Sequence, residues 1–472
     1  MTTPNVSDYF KYAVHATAAY VRAGALTLGS ATYASDFVEL ARTQSDGRLP
    51  TSIATELFNP ADPDALRWQV VHYYGGDVPG VHDDTGFAAT LFQKGGENVL
   101  AIRGVEPTVT VTDAVRDLLG ASVAGIGLLG VALNQLVDLV NLVQRLYGTG
   151  MVAQLRAEFA MTPAGAPGAI VLPLKGVSVP SPIPGFPSVE TTVYLSLSTY
   201  ETQGRGVLAA GDKITLTGHS LGGHLAIAAA QLLGNRINSD VYVYNSPGFD
   251  PVSIDVIAAG ASLFRYLGPL VTGLILGAKT ALAESLGAGA LLLSGDSQQT
   301  SSRILDAMRS VLGTPPAVFT VHNLESEDSA PGNDQSVVAS IFTGANNPGA
   351  EQLVGTEQNS HAIEQMMDAL ALQAVLYRLD NSLDLPILKK FIDAAHYLPG
   401  KSEEVLVEAL HALLIPGSRF SDHGLALPMS DAAAGLDVWV GKGDIGARNA
   451  FHTALLEINR RLDKEKGSGL ES

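Results

Sequence analysis

Five residues, Gly218-His219-Ser220-Leu221-Gly222, have the composition of a sharp turn built around a nucleophile. A β-forming run, Lys213-Ile214-Thr215-Leu216-Thr217, precedes them, and an apolar, Ala-rich helix from Leu225 to Leu233 follows. Gly218 and Gly222 let the chain reverse tightly, and the serine between them takes a strained backbone conformation. Such a turn lifts a hydroxyl clear of a sheet. It also aims the N–H of Leu221 and the start of the helix at an oxyanion. The chemistry this suits is acyl transfer through Ser220.

A serine hydroxyl is a weak nucleophile and needs a base, which in turn needs an orienting carboxylate. Strand, G-x-S-x-G and helix in this order resemble the nucleophile elbow of α/β-hydrolases, where the acid and then the histidine follow the serine along the chain. Of eleven histidines, His361 is the expected base. It ends the polar segment Thr356-Glu357-Gln358-Asn359-Ser360-His361, just before a helix, where a loop ring can swing toward a nucleophile. His423, in Ser421-Asp422-His423-Gly424, is the alternative. His322 falls in a strand, and His219 and His224 fall in the elbow and its helix. His396, His411 and His452 sit at helical spacing, more often surface or satisfied core. For the acid, a polar loop from Glu325 to Gln335 is expected after the strand Val318–His322. Asp328 is preferred there, with Glu325, Glu327, Asp250 and Asp334 as alternatives. Each of these also reads as an ordinary solvated loop carboxylate.

In this fold the second oxyanion donor comes from the loop after an early strand. Asn98–Arg103 is such a strand, and Gly104-Val105-Glu106-Pro107 follows it, so the N–H of Val105 is the candidate.

Three motifs together resemble the bacterial and fungal class 3 lipases. They are Val99-Leu100-Ala101-Ile102-Arg103-Gly104 with the later Asp113 and Asp117, Thr217 through Gly223, and Tyr244-Asn245-Ser246-Pro247-Gly248. Secreted bacterial lipases with calcium-binding repeat tails are also similar. The likeness spans roughly residues 85–365. It implies an α/β-hydrolase fold and cleavage of long-chain carboxylic esters by a Ser220–Asp328–His361 triad, with Leu221 and Val105 as oxyanion donors. Acyl transfer of this kind needs no cofactor, and no metal-ligating residues are singled out. Three features depart from the likeness. The gap of 108 residues from Ser220 to Asp328 is long, which the 251–314 insert would explain. Those families often carry Thr or Ser where Val105 stands, and the calcium-binding repeats are absent, so no secretion route or calcium site carries over.

The elements that position these residues follow from the pattern of the chain. Residues 5–45 read as helical, and residues 68–103 as a strand meander. Residues 163–200 read as a loop and hairpin excursion, Val241–Tyr244 as a strand and 362–379 as a helix. Strands alternating with helices around the elbow imply a mostly parallel central sheet flanked by helices, with helical lid or cap insertions. The expected organisation is an N-terminal helical segment over 1–50 and a catalytic domain over 51–380 with apolar inserts at 118–150 and 251–314. A C-terminal helical extension over 381–462 follows, and 463–472 reads as a disordered tail or cloning remnant. Leu118–Val137 carries no charge and meets the length of a membrane span. The preferred reading is a lid or interface-binding helix, with an ordinary buried helix and a true span as the alternatives. The stretch around Tyr266–Ala278 is too short to span and suits a lid over an acyl-binding groove.

Composition bounds the partners. A net charge of −18 argues against nucleic acid and anionic membranes as electrostatic partners. With 46% hydrophobic residues the chain can build a large core and leave apolar surface over. There is no cysteine, hence no disulfide or thiolate metal site. No signal-like segment is visible at Met1-Thr2-Thr3-Pro4-Asn5, which leaves localisation open. The expected substrate is a hydrophobic acyl ester or polyester met at an oil–water or membrane interface. A phospholipase or acyltransferase on the same fold, and a non-catalytic membrane-binding protein using the apolar inserts, are the alternatives.

Overall fold

Ile214–His219 is buried at all six positions in the computed structural model, as a strand covered on both faces must be. The described residues are 4–26, 33–44, 48–58, 67–75, 85–104, 132–160, 162–163, 168–179, 189–247, 292–293, 297–316, 318–328, 351–356, 363–395, 402–419 and 445–467. The first half comprises α1 (Val6–Ala18), α2 (Tyr33–Gln44), α3 (Thr51–Phe58), β1 (Gln69–Tyr74), β2 (Ala89–Lys94), β3 (Glu97–Ile102), α4 (Leu133–Tyr147), β4 (Met151–Ala160), β5 (Ile170–Val179) and β6 (Val189–Gln203). The second comprises β7 (Ile214–His219), α5 (Leu221–Leu233), β8 (Ile237–Tyr244), β9 (Leu292–Leu293), α6 (Ser297–Leu312), β10 (Thr320–Asp328), β11 (Glu351–Thr356), α7 (Ile363–Leu379), α8 (Leu385–Ala395), α9 (Ser402–Leu414) and α10 (Ile445–Gly467).

The main sheet has seven strands in the order β1-β2-β3-β7-β8-β10-β11. β1, β2 and β3 form an antiparallel meander, and β3, β7, β8, β10 and β11 run parallel. Helices cover both faces, so the architecture is mixed α/β around a mostly parallel sheet. α5 is apolar on every side because it is sandwiched: the sheet lies beneath it and α4 and α6 pack around it, leaving only Gln231 outside the buried set. α1 and α7 cover the opposite face. Asn5 caps α1, its Oδ1 accepting the Ser7 and Asp8 N–H groups at 2.9 and 3.2 Å, while Asp8 accepts the Asn5 N–H at 3.0 Å. α10 packs on α7 and α9 outside this layer.

The described part of the first apolar insert is α4, which buries Leu133, Leu136, Leu139, Val140, Val143 and Leu146 in the main core. It is a core helix. Among the described residues no helix is long and apolar enough to cross a membrane.

The hairpin expected within 163–200 is β5 and β6, and it extends into a second, antiparallel sheet with β4 and β9, whose Leu155, Leu174, Leu195 and Leu197 join the main core. Two expectations need correction. The strand expected to end at His322 continues to Asp328, so Glu325, Glu327 and Asp328 are strand residues rather than loop residues. Their polar side chains disguise a backbone paired with Leu353, Gly355 and Thr356 of β11. Residues 463–467 belong to α10 rather than to a tail. Val105, Asp250, Asp334, His361, His423, residues 118–131 and residues 251–291 lie outside the described residues, as do the side chains of Glu327 and Asp328.

Candidate active site

β7 ends at His219 and α5 begins at Leu221, so a single residue makes the turn. Ser220 has φ 54° and ψ −129°, a conformation that glycine adopts freely and serine only under strain. The neighbouring strand holds it there. The Ser220 N–H donates to the Tyr244 carbonyl at 2.9 Å, and its own carbonyl accepts the Gly223 and His224 N–H groups at 2.9 and 3.3 Å. Ser220 is partly exposed while Gly218, His219, Leu221 and Gly222 around it are buried. The hydroxyl-bearing residue is therefore the one point of the turn open to solvent.

The flanking glycines are fixed by close approach, not by positive φ. A Cβ on Gly218 would lie 2.4 Å from the Gly222 carbonyl carbon and oxygen. One on Gly222 would lie 2.1 Å from the Ile102 carbonyl oxygen, which presses the start of α5 onto the end of β3. One on Gly223 would meet Cβ and Oγ of Ser246 at 2.8 and 2.9 Å. Gly104 completes the set. Its Cβ would be 2.5 Å from the His219 carbonyl oxygen and 3.1 Å from the Ser220 Cβ. The β3–β7 ladder pairs Ile102 with Gly218, so Gly104 exits β3 level with Ser220. The chain leading to Val105 thus starts beside the nucleophile, and the first amides of α5 open on its other side.

The same edge of the sheet gathers the acid candidates. His219 pairs with Tyr244, Tyr244 with Leu324, and Asp328 with Thr356. In that register Glu325 is level with Ser220, and Asp328 lies about 10 Å further along the strand. Glu325 is buried on the α5 face and accepts the Asn323 amide at 2.9 Å. Asn245 braces β8 to β10: at φ 45° its Oδ1 accepts the Ser326 N–H at 2.8 Å and its Nδ2 donates to the Ser326 Oγ at 2.9 Å. Thr356, opposite Asp328, is the last described residue before the segment that carries His361.

Six of the seven described histidines have polar partners other than Ser220, and His72 is buried. His15 Nδ1 bonds the Lys11 carbonyl at 2.8 Å, and burial pushes its pKa down to about 3. Burial, with Arg205 and Arg145 nearby, pushes His72 down to about 4. His224 Nε2 accepts the Ala132 N–H at 3.4 Å, and His322 pairs with Asp240 at 2.9 Å. His411 pairs with Glu457 and His452 with Asp368, each at 2.7 Å. Burial opposes ionisation of Asp368, yet Arg448 and His452 outweigh it and hold its carboxyl at about 2. His219 is the member of this group that composition alone placed only in the elbow. Its Nδ1 lies 2.8 Å from the Tyr20 hydroxyl, a contact between residues far apart in the chain that no local pattern announces.

Among the described residues no cluster of His, Asp and Glu is arranged to hold a metal ion. Comparison of the chain with family models, curated proteins and solved structures finds no match.

Proposed function

We propose that this chain is a serine carboxylic ester hydrolase of the α/β-hydrolase type, acting on hydrophobic acyl esters through an acyl-enzyme. The observation that carries the reading is the backbone of Ser220: a partly exposed serine held at φ 54° between a buried parallel strand and a buried helix. Strain of this kind persists only where surrounding structure imposes it, and it concentrates at reactive sites. The order of the parallel strands supports the assignment of roles, because the acid-bearing strand and the strand leading to His361 follow the elbow strand in chain order.

In the proposed reaction the Ser220 Oγ attacks the ester carbonyl carbon as His361 takes its proton and Asp328 orients the imidazole. The N–H groups of Leu221 and Val105 receive the oxyanion. The tetrahedral intermediate collapses, and His361 gives its proton to the departing alcohol. Water, deprotonated by the same ring, then releases the acid. The apolar stretch around Tyr266–Ala278 favours hydrophobic acyl groups over small polar ones. A nitrophenyl ester series of increasing chain length tests this: turnover should rise beyond acetate and vanish in Ser220→Ala. Equal turnover by that variant would refute it.

A further inference from the structure

We propose that Tyr20 is a positioning residue that sets the gap between the nucleophile turn and the exit of β3 at Gly104, the segments that lead to the proposed oxyanion donors, an inference that rests on the ester hydrolase reading above. Tyr20 is fully buried in the turn just after α1. Its hydroxyl hydrogen-bonds His219 Nδ1 at 2.8 Å, immediately before the nucleophile. The same hydroxyl lies 2.6 Å from the point where a side chain on Gly104 would begin. One phenol therefore touches both segments that lead to the proposed donors: His219 precedes Ser220 and Leu221, and Gly104 precedes Val105.

The sheet itself does not fix this gap. The β3–β7 register ends at Ile102 and Gly218, short of Gly104 and Ser220. Beyond it the Tyr20 hydroxyl bridges the two chains from the α1 side. The ring is held in turn. The Arg48 guanidinium stacks 4.3 Å from its centroid, Arg48 Nε is 3.3 Å from Glu364 Oε1, and the Arg48 carbonyl accepts from Arg448 Nη1 at 2.7 Å. A cation over the ring and a buried ion pair behind it leave the phenol little room to shift. Oxyanion donors act only when held within a few tenths of an ångström of their target, and a displacement of about 1 Å costs about a hundredfold in rate. Removing the hydroxyl while keeping the ring should relax the gap without emptying the core.

The test compares wild type with Tyr20→Phe on a short nitrophenyl ester. It measures kcat and KM separately, together with affinity for an alkyl boronic acid that mimics the tetrahedral adduct. The expected result is a kcat lower by about tenfold to a hundredfold, KM within about twofold, and boronate affinity reduced in proportion to kcat. A merely structural tyrosine would change melting temperature and not this split. Wild-type kcat in Tyr20→Phe, or a change confined to KM, overturns the inference while leaving the hydrolase reading intact. A wild-type protein that neither hydrolyses the ester nor takes a fluorophosphonate on Ser220 overturns both. If Tyr20→Phe melts below assay temperature, His219→Gln replaces it. That variant keeps the phenol packed and moves the polar group away from the Nδ1 position, and it must show the same split.

Discussion

Gly104 and Ser220 approach so closely that a Cβ on the glycine would sit 3.1 Å from that of the serine, with the His219 carbonyl oxygen at 2.5 Å. Backbone cannot yield there as a flexible side chain would. Gly104→Ala should therefore push the exit of β3 away from the elbow and lower kcat by about a hundredfold or more. Gly96→Ala is the control, because nothing lies within 4 Å of its Cβ position, although its φ of +85° adds backbone strain. Steady-state kinetics of the two variants should show the loss in the first and not in the second.

The strain at Ser220 is measurable. A non-glycine residue in this conformation costs about 1–3 kcal/mol. Ser220→Gly should relieve it and, after allowing for the greater freedom of glycine in the unfolded chain, stabilise the protein by about 1 kcal/mol. Hydrolysis should disappear in the same variant. Urea unfolding of Ser220→Gly beside Ser220→Ala checks the sign: the glycine variant should be the more stable of the two.

The acid is tested by separating rate from stability. Asp328→Asn should lower kcat by about four orders of magnitude, the scale of losing a triad carboxylate. Glu325→Gln should retain turnover and cost stability instead, since that carboxylate is buried against Asn323. The reverse pattern would transfer the role to Glu325.

Acid should destabilise the fold before it protonates the buried carboxylate. His15 and His72 are pushed down to about 3 and about 4 by burial, below the value near 6.5 expected in the unfolded chain. Between those values the unfolded chain binds more protons, so stability is full above about pH 6.5 and falls as pH drops. Each histidine contributes up to about 1.4 kcal/mol per pH unit. Asp368, held at about 2, keeps its contribution until the pH falls below the ordinary carboxylate range. Urea unfolding from pH 7 to pH 4 should show the decline, and His15→Leu should make it shallower.

The elbow is legible because its signal is local: strand, glycines, serine and helix lie within residues 213–233. The meander over 68–103 and the helix over 362–379 were legible for the same reason, each from its own periodicity. What was hidden depends on partners distant in sequence. The polar end of β10 is a strand because β11 pairs with it, and Glu325-Ser326-Glu327-Asp328 carries no sign of that partner. The β5–β6 hairpin shows in its β-formers and turn residues, but its pairing with β4 and β9 in a second sheet does not. Tyr20 falls inside the stretch 5–45 that reads as helical, with nothing to single it out. Only the fold brings it 2.8 Å from His219.

The most direct measurement is reaction with a fluorophosphonate probe followed by peptide mass spectrometry. One adduct is expected, on Ser220, lost in a folded Ser220→Ala variant along with ester hydrolysis. An unlabelled Ser220 in active protein, or an adduct on another residue, would contradict the hydrolase reading.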